Sequence, residues 1–335
     1  MPIASSAISI TGVTKRFGKT IAVRSLDFEL PRGSLCGFLG PNGAGKSTTI
    51  RMIMSIILPD EGTIRVLGGS ALDSKDRIGY LPEERGVYRK MRVGEFLAYM
   101  AKLKGVPSRG MDRRVEDWLD RVELPGVVRK RLSDLSKGMQ QKVQFIAAMI
   151  HDPELLILDE PFSGLDPVNA RVMRDLVHEL HRKGRTIILS THLLPQAEAL
   201  CERIVLINHG IKLLDDPLDR IREAFDPRTI VVLPASDAPG DGAPALLEEL
   251  PGVVGARPLA DGRIELHLDE RTDPQATMRA ALESMPLRGV ELRRTTLEEI
   301  FVRLVRREEG TEAARSAQMA LAGAAADAAV AGEVA

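Results

Sequence analysis

Residues 40–47 read Gly40-Pro-Asn-Gly-Ala-Gly-Lys-Ser and fit the pattern G-x-x-x-x-G-K-[ST]. The residue types dictate a chemistry. Glycines let backbone N–H groups turn inward and wrap phosphate oxygens. The N-terminus of a following helix adds the positive end of its dipole. At this spacing Lys46 reaches the β- and γ-phosphates of a nucleotide, and the Ser47 hydroxyl suits Mg²⁺. The apolar run Leu35–Gly40 (LCGFLG) comes just before the loop, and a helical pattern over Ser47–Ile57 comes just after. The expected site therefore takes phosphate on Gly40, Pro41, Asn42, Gly43, Ala44, Gly45, Lys46, Ser47 and Thr48.

A second constellation is Leu155-Leu-Ile-Leu-Asp159-Glu160, an apolar strand ending in two acids. The carboxyl end of a strand is where open α/β sheets bind ligands. Asp159 there suits the Mg²⁺ shell, directly or through water. Glu160 is free to orient and polarise a water as a general base. An acid pair that merely opens a loop looks the same on its own; the phosphate loop gives this one its weight.

These residues need a scaffold, and the apolar pattern supplies one. Leu35–Gly40, Leu155–Leu158, Thr186–Ser190 and Ile204–Ile207 are short apolar runs separated by helical patterns. That arrangement predicts a mostly parallel sheet covered on both faces. Ile8–Thr11 and Ile21–Leu30 alternate apolar and polar residues, as an antiparallel edge does. From Tyr88 to Arg131 the strand signal stops, and Val93–Leu103 and Met111–Val122 have helical periodicity, which predicts a helical insert. After about Asp216 a smaller α+β pattern begins, with strands at Ile230–Leu233 and Arg263–Leu268 and helices at Ala245–Leu250, Gln275–Ser284 and Leu297–Arg306. Asp237–Pro244 is a loop by composition. The expected domains are 1–220, with a helical subdomain over 88–145; 221–309; and an Ala-rich, disordered tail over 310–335.

Leu135-Ser-Lys-Gly-Met-Gln-Gln-Lys-Val143 resembles the signature of ABC-type ATPases, usually written LSGGQ followed by QR-V. The rest of that family's motifs then fall in order over residues 7–215. Phe17 resembles the aromatic residue that stacks on adenine. Ile78-Gly-Tyr-Leu-Pro-Glu83 resembles the Q-loop, Ser163-Gly-Leu-Asp166 the D-loop, and His192 in Leu189-Ser-Thr-His192 the switch histidine. The resemblance implies a P-loop NTPase fold of ABC type, α/β, with an antiparallel β subdomain and a helical subdomain. It also implies a dimer in which ATP lies between the phosphate loop of one domain and the signature of the other. Ser136 and Gly138 would then cap the γ-phosphate, Asp166 would belong to the dimer interface, and His192 would contact the γ-phosphate and catalytic water. The metal ligands so implied are Ser47, Glu83 and Asp159. Two departures stand out: Glu83 replaces the usual Gln, and Lys137 and Met139 replace Gly and Gln in the signature. A carboxylate oxygen still ligates Mg²⁺, and Ser136 and Gly138 are kept.

Tyr80-Leu-Pro-Glu-Glu-Arg-Gly-Val-Tyr88 and Thr296-Leu-Glu-Glu-Ile-Phe301-Val-Arg-Leu resemble ATPase subunits of ABC-2-type exporters, the sodium-extrusion and drug-resistance group with a small C-terminal domain. This implies ATP and Mg²⁺ as cofactors, a separate membrane-spanning permease, and a second copy or homologous ATPase subunit. The expected place is cytoplasmic, on the inner face of the cell membrane through the permease. The Arg85, Arg89, Lys90 and Arg92 cluster just past the Q-loop is the expected docking surface for that permease. The alternative is a soluble ABC ATPase acting on nucleic acid or ribosomes. Such proteins resemble tandem domains or carry a long coiled coil, and this chain shows neither.

Composition narrows the classes further. Lys+Arg is 46 and Asp+Glu is 47, a formal net charge of −1, so the basic footprint of a direct nucleic-acid binder is absent. No apolar run approaches the ~18–20 residues that span a bilayer. MPIASSAISI lacks the basic-then-hydrophobic pattern of a secretory signal. Cys36 and Cys201 are too few for a disulfide framework or a zinc site. His178 and His181 do not have H-E-x-x-H spacing and read as a solvated helix face, and Trp118 reads as packing within the helical insert.

Overall fold

The long alternating strands come first. β1 (Ser6–Phe17) and β2 (Thr20–Pro31) pair antiparallel across a tight turn at Gly18. The wholly buried β3 (Leu35–Leu39) leads through the glycine loop into α1 (Lys46–Ile53). β4 (Glu61–Val66) returns to pair antiparallel with β1. β5 (Ile78–Leu81) precedes three helices, α2 (Val93–Leu103), α3 (Met111–Arg121) and α4 (Lys137–Met149), which pack on one another. β6 (Leu155–Asp159), α5 (Pro167–Arg182), β7 (Thr186–Thr191), α6 (Leu194–Leu200), β8 (Arg203–Asn208), β9 (Ile211–Pro217) and α7 (Leu218–Ala224) follow. The computed structural model describes residues 6–84, 86, 88–226, 228–235 and 242–307. The expected tail over 310–335, Arg85 and most of the Asp237–Pro244 loop lie outside them.

Contacts divide the chain into two units, one ending at Leu218 and resuming at Phe301, the other spanning Asp219–Ile300. The first unit holds two sheets. One is antiparallel, in the order β2-β1-β4; the other is six-stranded, in the order β5-β6-β7-β3-β8-β9. The latter is parallel except for β9, which pairs antiparallel with β8. β3, β6 and β7 are buried along their whole length, which is why their sequences run apolar without alternation. One core joins the sheets, with Ile8, Phe28 and Leu30 packed in the same cluster as Phe38, Ile157, Ile188 and α1's Ile50 and Ile53. In the helical insert Trp118 is 9% exposed and lies under the Arg121 guanidinium, 4.1 Å from its ring centroid. Arg121 in turn pairs with Glu179 of α5.

In the second unit the order is β10 (Thr229–Pro234), α8 (Ala243–Glu248), β11 (Val253–Pro258), β12 (Ile264–Leu268), α9 (Pro274–Ser284) and β13 (Leu287–Leu292). The antiparallel sheet runs β11-β12-β10-β13. This is a β-α-β-β-α-β, ferredoxin-like unit. Ile230, Val232, Ile264 and Leu266 pack with Leu247 of α8 and Ala281 of α9. Glu265 points to the other face and is 3% exposed; its two oxygens pair with Arg257 and Arg293 at 2.9 and 2.6 Å.

Candidate nucleotide site

The end of β3 brings the chain to Gly40, where only a glycine fits: a Cβ would lie 2.1 Å from the Ile207 carbonyl oxygen. Gly45 has φ +102°, and its Cβ would lie 2.5 Å from the Ala22 oxygen. The loop is thus held tightly against β2 and β8. No side chain caps α1. Its first N–H groups are therefore donors without intrahelical partners, which is what a phosphate needs. Lys46 Nζ donates to the Gly40 and Pro41 carbonyl oxygens at 2.7 and 3.1 Å. Burial pushes its pKa down, while Glu160, Asp159 and Glu83 oppose that.

The loop segment 42–48 lines a cavity of about 300 Å³, which it shares with Ala22, Glu83, Asp159 and Glu160. Parallel pairing of β6 with β7 sets Asp159 beside Ser190. Asp159 is 3% exposed, and its Oδ1 has no hydrogen-bond partner among the described residues. Burial pushes this carboxyl up and Glu83 and Glu160 add to the rise, while the neighbouring Ser190 hydroxyl and Lys46 oppose it. A buried oxygen without a partner, in one cavity with Ser47 and Glu83, fits a Mg²⁺ ion. Magnesium binds through one or two carboxylates and completes its shell with water and phosphate oxygens.

Glu160 turns sharply out of β6 with φ +48°, a conformation rare for a residue with a Cβ and often found at working sites. It accepts hydrogen bonds from His192 N (2.9 Å) and Thr191 Oγ1 (3.0 Å), and its Oε1 lies 2.6 Å from His192 Nδ1. A carboxylate held this way beside a phosphate loop can take a proton from a water.

The remaining sequence-picked residues lie elsewhere. Phe17, at the end of β1, is 52% exposed with Lys15 Nζ 5.6 Å from its ring centroid, and it does not line the cavity. Ser136 is the N-cap of α4, accepting from Met139 N at 3.2 Å. A Cβ on Gly138 would sit 3.4 Å from Leu165, so the signature segment packs against the loop that carries Asp166. Asp166 caps α5 through Asn169 N at 2.9 Å, and that bond holds its carboxyl below the usual range. Neither Ser136 nor Gly138 lines the phosphate cavity. Sequence reading missed Ala22, which has no signal. It also missed Thr191, whose only signal is its place directly before His192.

A family model described as ABC transporter matches residues 23–163, and one for the C-terminal domain of DrrA1-3-like ATP-binding proteins matches residues 217–305. "Uncharacterized ABC transporter ATP-binding protein YhaQ" of Bacillus subtilis is 37% identical over 299 residues, covering 89% of this chain and 98% of the relative. The chain belongs to the ABC transporter ATP-binding proteins. Like its family, this ABC transporter ATP-binding protein is an ATPase and binds ATP. "Nod factor export ATP-binding protein I" of Ralstonia nicotianae is 32% identical over 311 residues, covering 90% of the chain and 94% of the relative. A solved structure described as the ATP binding subunit of an ABC transporter superposes with TM-score 0.61 at 31% identity, covering 66% of this chain and 93% of that one. The fold of cbiO1 from Clostridium perfringens also matches, with TM-score 0.58 at 23% identity over 64% of this chain and 90% of that one. The α/β fold of ABC type is the one the motifs implied. Among the described residues no helix is long and apolar enough to cross a membrane.

Proposed function

We propose that this chain is the ATP-hydrolysing subunit that powers export through a separate membrane-spanning permease of ABC-2 type. The observation that carries the reading is the one-sided site. Lys46, Ser47, Asp159 and Glu160 face one cavity, while Ser136 and Gly138, the second phosphate cap, stand outside it. A second copy or homologous subunit would bring its signature to this phosphate loop, with Asp166 in the interface. ATP then acts as the glue of a closed pair, and hydrolysis releases it. The export direction draws on relatives that span nearly the same length and bear export in their names, such as the Ralstonia protein.

Within the site, Lys46 and the loop N–H groups would bind the phosphates, and Phe17 would stack on the base. Ser47, Glu83 and Asp159 would hold Mg²⁺, whose charge, when bound, offsets that of the phosphate oxygens. Glu160 would accept the proton of the attacking water, and His192 would hold Glu160 and meet the γ-phosphate. On this reading residues 1–220 are the motor, with the helical subdomain over 88–145, and 221–309 are an accessory module. The segment 84–92, with Arg89, Lys90, Arg92 and the exposed Tyr88, would receive the permease and keep the motor at the inner face of the membrane.

Glu160→Gln tests the motor reading. Turnover should fall about 10²–10⁴-fold, the usual worth of a general base. The variant with ATP and Mg²⁺ should elute at twice its nucleotide-free mass in light scattering. Undiminished turnover would refute the base assignment. Affinity purification from detergent-solubilised native membranes tests the transporter reading: a polytopic protein in near-equal amount is the expected companion. Recovery with ribosomes or nucleic acid alone would overturn it.

A further inference from the structure

Thr191 is the last residue of β7 and is 1% exposed. Its Oγ1 accepts from Leu193 N at 3.1 Å and donates to Glu160 Oε2 at 3.0 Å. The direction of that second bond follows from the first. An ionised carboxylate only accepts, and the Leu193 N–H already occupies a hydroxyl lone pair, so the hydroxyl proton points at Glu160. Oε1 carries the contacts to His192, so Thr191 supplies the side-chain donor found on the other oxygen.

The two partners differ in how firmly they stand. The His192 side chain is 44% exposed, with its Nδ1 2.6 Å from Oε1, while its backbone N–H donates to the same oxygen. Thr191 is buried, and its register partner in β3 is Leu39, the residue just before the phosphate loop. The hydroxyl therefore ties Glu160 to the same strand pair that fixes the loop. Glu160 itself sits at φ +48°, a backbone position that needs outside support to persist. We propose that Thr191 is a positioning residue for ATP hydrolysis: its hydroxyl fixes Oε2 of Glu160 and so aims the carboxylate at the water, while His192 engages Oε1. This rests on the reading of Glu160 as the proton acceptor.

The test compares ATPase kinetics of the full chain with Thr191→Val, Thr191→Ser and Glu160→Gln. Valine keeps the shape and removes the hydroxyl. Thr191→Val should lower kcat about ten- to a hundredfold, the usual worth of a hydrogen bond to a charged group. The KM for ATP should stay unchanged, and Thr191→Ser should restore most of kcat. A folded valine variant with full kcat would overturn the inference, as would a rise in KM without a fall in kcat or failure of serine to restore the rate. If the valine variant does not fold, Thr191→Ala takes its place with the same readouts. Normal turnover in Glu160→Gln would bring down the base reading itself. A dead Glu160→Gln beside a fully active Thr191→Val would bring down this inference alone.

Discussion

Lys46 is a buried cation held by its own loop. Its ammonium is held by two carbonyl oxygens of its own loop, Gly40 and Pro41. On the proposed reading, phosphate oxygens would compete with these two carbonyls for the ammonium. Lys46→Ala should weaken ATP binding at least tenfold, read by titration with a fluorescent nucleotide. Asp159 carries the opposite burden. Its pKa is raised mainly by burial, so its charged form costs folding stability. That cost is absent below the unfolded pKa and grows as pH rises through the folded one. In nucleotide-free protein with chelator, Asp159→Asn should melt with wild type at low pH and increasingly above it toward neutrality. Equal melting at every pH would contradict the burden. The loop residues and the acid pair were legible because type and spacing carry their chemistry. Thr191 was not: its partner Glu160 is distant in the chain, and a threonine before a histidine has many ordinary uses.

At the level of elements, capping on the proposed reading would do double service. Ser136 satisfies Met139 N at the start of α4, as an N-cap serine should. Ser136→Ala should cost about 1 kcal/mol in denaturant titration and also abolish the ATP-driven mass doubling of Glu160→Gln. Loss of stability with dimerisation intact would separate the cap from the proposed phosphate contact. Strands buried on both faces were readable as apolar runs, whereas β4, β5 and β9 were not. β4 is mostly exposed, β5 has four residues, and β9 is half-buried along its length, so none writes a clear period. The helix after the loop was expected to reach Ile57 but ends at Ile53. Ser55 adopts φ +55°, which no α-helix continues through, although the apolar residues run on. Strand order was also invisible: the pattern marks strands but not that β6 lies beside β7, the pairing that brings residue 160 to residue 192.

Across the whole molecule, ATP binding should read out as cooperativity between two sites, since each closed pair would use both phosphate loops. The ferredoxin-like unit could be foreseen as a small α+β body from its strands and helices. Its topology could not, because split β-α-β-β-α-β order is set by which edges find each other. The two cysteines offer another use. Cys36 is the second residue of β3 and Cys201 follows α6; both are buried, and burial raises both thiols far above their ordinary range. A thiolate is what an alkylating reagent attacks. Both sulfurs are buried, so a reagent reaches Cys36 when the packing around β3 opens and Cys201 when the end of α6 does. The chain carries its own stopwatch: the labelling rate at Cys36 counts openings of the strand that leads into the phosphate loop. Saturating ATP with Mg²⁺ should slow that clock in proportion to one plus ligand over Kd, read by intact-mass spectrometry over time. Labelling as fast with ATP as without would mean that the strand opens without sensing what its loop holds.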